Sequence, residues 1–129
     1  MLKFAIIAAG GALGAVLRYL ISGGVSRFAE GIFPWGTFAV NVSGAFVIGL
    51  FWEFFEENFF VSNDMRLFLF IGILGAYTTF STYSLESLNL IRDGEFLPAL
   101  LNIFLNNVFC IAFVFAGIVV SRLIIYGFK

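Results

Sequence analysis

Three stretches of this chain, 31–52, 67–85 and 96–121, carry no charged residue, and they run for 22, 19 and 26 residues. A fourth, 4–17, continues past Arg18 as far as residue 26. About 20 apolar residues cross the hydrocarbon core of a bilayer as one helix, so each stretch is long enough to span it. Of the 129 residues, 61% are hydrophobic and 12% charged, against about 25% charged in soluble domains. A chain this short has too much surface for its volume to hide that much apolar side chain in one core. The sequence therefore predicts an all-α, multi-pass membrane protein, a single four-helix transmembrane domain over 1–129 with the lipid bilayer around it.

The same residues exclude several chemistries. There is no His and only one Cys, so His-based zinc sites, Ser-His triads and internal disulfides are out. Seven basic residues against eight acidic ones leave no electrostatic footprint for nucleic acid. A water-soluble catalytic domain has no place in the chain, and the expectation is a protein that is not an enzyme.

The four helices are predicted near 3–25, 35–57, 66–92 and 97–125. Gly31 to Gly36, with Pro34, makes the first connection, Asn58 to Asp64 the second and Asp93-Gly94-Glu95 the third. Lys3 before a run rich in Ala and Gly has the look of a signal peptide, but Arg18 interrupts it and three further spans follow, so the segment is expected to stay. An even number of spans puts both termini on one side, with Lys3, Arg66, Arg122 and Lys129. The other side holds Arg27 and Arg92, plus Arg18 if it snorkels outward. That asymmetry is weak. One fixed topology and insertion in both orientations, with opposed copies pairing, fit it equally.

Polar residues inside the spans narrow the reading. Thr37 and Asn41 lie four apart on one face of the second helix. Asn102, Asn106 and Cys110 make an i, i+4, i+8 stripe in the fourth, with Asn107 beside it. Unpaired amides in lipid cost several kcal/mol, so these faces meet protein or water. Interhelical hydrogen bonding and a pore-lining track both satisfy that requirement. In the third span, 72–84 holds two Gly and five hydroxyl residues where a plain span would have Leu and Val. Gly and Thr weaken the helix, and hydroxyls replace lost backbone bonds. This predicts a helix broken mid-membrane, whose freed backbone groups line a site; the alternative is a continuous helix with hydroxyls bonded to i−4 carbonyls. Phe80 and Tyr83 share the face beside the expected break. Their positive ring edges suit a small anion held weakly enough to leave.

Gly14-x-x-x-Arg18-Tyr19, Gly36-Thr37-x-x-x-Asn41-x-x-Gly44-x-Phe46 and above all Gly75-x-x-Thr78-Thr79-Phe80-Ser81-Thr82-Tyr83-Ser84 resemble the Fluc (CrcB-type) fluoride channels. The resemblance covers essentially the whole chain and is weakest in the fourth span. It implies a dual-topology, antiparallel homodimer in the plasma membrane (the inner membrane of a two-membrane cell), with two fluoride pores lined by both copies. Asn41 takes the place of a pore asparagine. Phe80 and Tyr83 take the two anion-contacting aromatic positions, the second of which is usually Phe. Thr37, Ser81, Thr82, Asn106 and Cys110 are candidates along the fluoride path, and Arg18 for its vestibule. The resemblance further implies a structural Na⁺ on the dimer axis, held by the backbone carbonyls of Gly75 and Thr78 from both copies.

The function expected is passive, selective fluoride export. Two other classes stay in view. A small proton-coupled multidrug-type exporter needs a membrane-embedded carboxylate, whereas the first span has none and Glu53 and Glu86 fall toward span ends. A non-transporting assembly subunit would move no ion by itself.

Overall fold

Few residues fall outside helix in the computed structural model, which describes residues 1–57 and 61–127. Helix α1 (Leu2–Phe28) runs through five glycines to Phe28, and Gly31, with a φ of +107°, lies in the connection that follows. Pro34 immediately precedes α2 (Trp35–Glu57), a position where a missing N–H costs nothing. The third span begins with α3 (Asn63–Arg66), capped by the Ser62 side chain, which accepts from the Met65 N–H. It therefore starts three residues before the expected position 66. Over Leu67–Leu74 its turns widen to a π-helix, the i→i+5 form that usually appears as short interruptions of α-helices. It then returns to α4 (Gly75–Tyr77) and, after Thr78 and Thr79, to α5 (Phe80–Arg92). Gly94, with φ +81°, turns the chain into α6 (Phe96–Tyr126). Residues 58–60 of the expected second connection and Lys129 lie outside the described residues.

Leu2–Phe28, Trp35–Glu57, Asn63–Arg92 and Phe96–Tyr126 are each long and apolar enough to cross a membrane. Between such helices lipid removes the usual hydrophobic drive, so close packing must supply the attraction, and small residues permit it. Gly10 and Gly14 set α1 against the π-helical stretch. A Cβ on Gly10 would stand 2.6 Å from the Phe68 carbonyl oxygen, and one on Gly14 would overlap the Ile73 carbonyl. Gly49 and Gly117 do the same reciprocally for α2 and α6: a Cβ on Gly49 would strike the Val114 carbonyl, and one on Gly117 the Phe46 carbonyl.

The ends are pinned differently. At one end Phe33 packs tilted on Trp35, and Trp35, Phe38 and Phe109 follow edge to face, with centroid separations of 4.5–6.0 Å along the series. At the other, Arg66 reaches Glu56 at 2.9 Å and Arg122 reaches Glu53 at 2.6 Å, tying α3 and α6 to the end of α2.

Candidate functional site

The third span's α-helical bonding stops where its hydroxyl-rich segment begins. Thr78 (φ −82°, ψ 159°) and Thr79 (φ −150°, ψ 121°) are extended. In a continuous helix the Thr79 N–H would donate to the carbonyl four residues back. Here it donates to Asn41 Oδ1 at 2.8 Å, while Asn41 Nδ2 donates to the Thr79 carbonyl at 3.0 Å. One side-chain amide from α2 thus satisfies both faces of Thr79. The Thr79 hydroxyl then caps α5, accepting from the Thr82 N–H at 3.1 Å, the ordinary role of a Thr N-cap. Among the described side-chain hydrogen bonds and the backbone bonds outside the helices, none uses the carbonyls of Gly75 or Thr78.

From Asn41 a chain of hydrogen bonds crosses the molecule. Asn41 Nδ2 also donates to Asn106 Oδ1 at 3.1 Å. Asn106 Nδ2 donates to Asn102 Oδ1 at 2.8 Å, Asn102 Nδ2 to Ser87 Oγ at 2.9 Å, and Ser87 Oγ to the Tyr83 carbonyl at 2.8 Å. Asn102 is wholly buried and Asn106 nearly so. Asn102 and Asn106 therefore point into protein, binding α6 to α2 and α5, while Asn107 is exposed.

Beside the interruption lies a cavity of about 390 Å³ whose wall includes Asn41, Thr79, Phe80, Tyr83, Asn106 and Cys110. The Phe80 and Tyr83 rings meet edge to face with centroids 5.3 Å apart. Tyr83 is buried, but Phe80 is 76% exposed in the single chain, so the cavity's aromatic wall is complete on one side only. A second cavity, about 270 Å³, is bounded by Arg18, Tyr19, Ser22, Thr37 and Thr82, and Thr79 lines it as well. The two cavities share Thr79 as a wall.

The candidate residues thus divide. Asn41, Phe80, Tyr83, Asn106 and Cys110 come together at the first cavity, with Gly75 and Thr78 on its wall; Arg18, Thr37 and Thr82 gather at the second. Ser81 lines neither and stands exposed, its Oγ 3.4 Å from the Thr79 hydroxyl. Ser87 and Tyr77 escaped the sequence reading, and Glu86 was set aside there as lying toward a span end. Glu86 accepts a hydrogen bond from the Thr37 hydroxyl at 2.7 Å through Oε1, and its Oε2 is buried with no described partner. Ser87 closes the asparagine chain. Tyr77, from α4, shares a 2.8 Å hydrogen bond with Ser43 of α2. Glu86 was detectable: it lies three residues past Tyr83 and so on the same helical face. It was set aside as lying toward the span's end, although α5 continues six residues past it to Arg92.

Comparison with known proteins places these residues in company. Residues 5–118 match the family model described as CrcB-like protein, Camphor Resistance (CrcB). Over 116 residues the chain is 49% identical to a protein of Geobacter sulfurreducens named fluoride-specific ion channel FluC, covering 90% of this chain and 94% of that one. Proteins with the same name from Magnetococcus marinus and Agrobacterium fabrum are 42% and 43% identical, over 95% of this chain and 100% and 98% of theirs.

Proposed function

This chain belongs to the CrcB family, and we propose that it is a fluoride-selective ion channel through which F⁻ leaves the cell passively. The observation that carries the proposal beyond family membership is the cavity at the Thr78–Thr79 interruption. It offers ring edges and side-chain dipoles to an ion, and among the described residues that line it none carries a full charge. Such a wall attracts a small anion without trapping it. Electrically, a negative cell interior drives F⁻ outward by about 2.3 kcal/mol per 100 mV.

In this reading the ion passes from the Arg18 side, along Thr37 and Thr82, around Thr79 and past Phe80 and Tyr83. Asn41 holds the interruption open by bonding both sides of Thr79, with Asn106 and Cys110 on the far wall. Phe80's exposure in the single chain supports a second copy packing there, and we assign that copy the antiparallel orientation that the weak Lys/Arg asymmetry permits. The uncommitted Gly75 and Thr78 carbonyls fit a hard monovalent cation, which needs neutral oxygens rather than carboxylates. A Na⁺ shared by the two copies would supply a fixed positive field beside the anion path. The natural place for such a multi-pass channel is the plasma membrane.

The deciding experiment is fluoride-electrode efflux from liposomes that contain only this protein, with chloride as control. Rapid F⁻ release and no Cl⁻ release is the expected result; no F⁻ release, or equal release of both, ends the proposal. A C-terminal tag reachable from both membrane faces in comparable amounts is expected of opposed copies, and one-sided labelling rejects them. Replacing Na⁺ by a large organic cation should slow flux.

One observation favours a second reading. The Glu86 carboxylate, with one oxygen on Thr37 and the other buried without a described partner, is the embedded acid that a proton-coupled exporter requires. Efflux that consumes a proton gradient would select that reading over a passive channel.

A further inference from the structure

Most hydrogen-bond donors around the interruption cavity are already committed to protein acceptors. Asn41 Nδ2 donates to the Thr79 carbonyl and to Asn106, and Asn106 Nδ2 to the carbonyl and side chain of Asn102. The Thr78 hydroxyl donates to the Leu74 carbonyl and the Thr79 hydroxyl to Thr82. Asn107 Nδ2 donates to the Ile103 carbonyl at 2.7 Å and to the Tyr83 hydroxyl oxygen at 3.1 Å.

That last pair fixes the direction of the Tyr83 hydroxyl. The Asn107 atom facing the Ile103 carbonyl must be nitrogen, because an amide oxygen there would confront another oxygen. Its second hydrogen points at the phenol, so the phenol oxygen accepts. A phenol has one hydrogen of its own, and no described hydrogen bond takes it. Tyr83 is 8% exposed and lines the cavity together with Asn107. Apart from the weak thiol of Cys110, its hydroxyl is the side-chain donor left free on that wall among the described residues.

We propose that the Tyr83 hydroxyl, oriented by Asn107, donates a hydrogen bond directly to fluoride in the cavity. The proposal rests on the channel reading and deepens it. At this position the residue acts through O–H as well as through its ring edge, and Asn107 is the positioning residue that makes the hydroxyl a donor. Hydrogen bonds to an anion are shorter and stronger than those between neutral groups. The ion is therefore held longer at this wall than a bare ring would hold it.

Two readouts test this, one of transport and one of binding. In liposomes, Tyr83→Phe should raise the fluoride concentration giving half-maximal efflux about ten-fold, equivalent to 1.4 kcal/mol. Asn107→Leu should raise it about three-fold alone and by nothing further in the Tyr83→Phe background, since its effect acts through the hydroxyl. A fluoride titration of the wild type followed by near-ultraviolet tyrosine absorption should shift, and the shift should vanish in Tyr83→Phe. Unchanged half-saturation in Tyr83→Phe, or full additivity of the two substitutions in variants with the wild-type size-exclusion profile, overturns the proposal. A wild type that conducts fluoride without the spectral shift also overturns it, while leaving the channel reading intact. A wild type that conducts no fluoride rejects the channel reading, and the titration still decides whether Tyr83 binds the ion.

Discussion

Helices α2 and α6 meet through glycine, whereas α2 and the third span meet through amides, and the contrast separates two ways of packing inside a membrane. Where Gly49 and Gly117 face each other's helix, every backbone bond is kept within its own helix and only the absence of Cβ atoms allows the approach. Where Asn41 faces Thr79, the backbone has given up its helical bonds and a neighbouring side chain replaces them. The first arrangement is close-packed and leaves no space. The second opens a cavity and keeps backbone dipoles at its edge. Close packing alone makes a membrane helix pair; the polar replacement is what opens a cavity beside it.

The comparison breaks most sharply at Asn41. Asn41→Ala leaves the Thr79 N–H, the Thr79 carbonyl and Asn106 Oδ1 without their partner, at about 1–3 kcal/mol for each buried group left unmade. Fluoride efflux should fall at least ~100-fold and the thermal midpoint in detergent should drop; a variant that folds and conducts normally would remove the amide from the account. Gly117→Ala attacks the other contact. Its Cβ presses on the Phe46 carbonyl, so overpacking should cost about 1–3 kcal/mol. Here the expected signature is a lowered thermal midpoint with fluoride selectivity retained in the protein that remains folded.

Phe80→Ile asks whether the cavity's aromatic wall matters apart from its packing. It removes a ring edge and keeps an apolar side chain. Losing one anion contact of about 1–2 kcal/mol should slow efflux roughly 5- to 30-fold. Wild-type flux from a well-folded variant would shift attention from ring edges to hydroxyl and amide donors. The smallest effect is expected at Gly11, next to Gly10 but with nothing within 4 Å of its Cβ position. Gly11→Ala should move stability by no more than about 0.5 kcal/mol, which separates glycines that permit contact from those that do not.

The spans were legible because charge is so costly in a bilayer that its absence marks the helices directly. The second helix is Trp35–Glu57 against a charge-free run of 31–52, its last turns carrying Glu53, Glu56 and Glu57. Hydroxyls and glycines crowded into 72–84 raised the expectation of a broken helix, and the structure has Thr78 and Thr79 extended between α4 and α5, but the Asn41 support was not legible. Nothing in the spacing of α2 says that Asn41 bonds a backbone thirty-eight residues away, because the contact depends on how two helices cross. The π-helical stretch left no signal either: Leu67–Leu74 is apolar almost throughout, and apolar residues accept either pitch. The Asn102–Asn106 stripe was visible, while its direction depended on which face of α6 meets α2 and α5. Ser87 was hidden for the same reason, and so was the Thr37 partner of Glu86, both contacts joining residues distant in sequence.

The amide chain from Asn41 to Ser87 has a consequence best stated as proton order. Each primary amide can be placed two ways round, with nitrogen and oxygen exchanged, so a row of such amides in isolation has many arrangements of nearly equal energy. This row is bounded by a backbone N–H at Thr79, which must meet an oxygen, and by a backbone carbonyl at Tyr83, which must meet a donor. Those two fixed ends select a single sequence of donors and acceptors through Asn41, Asn106, Asn102 and Ser87. Reversing any one amide opposes like atoms on both its sides, and reversing all of them together fails at the two fixed ends, so the row keeps one arrangement. The α5 helix is thereby held to α2 by an ordered line of hydrogens rather than by independent contacts, and the interruption inherits the stiffness of that line.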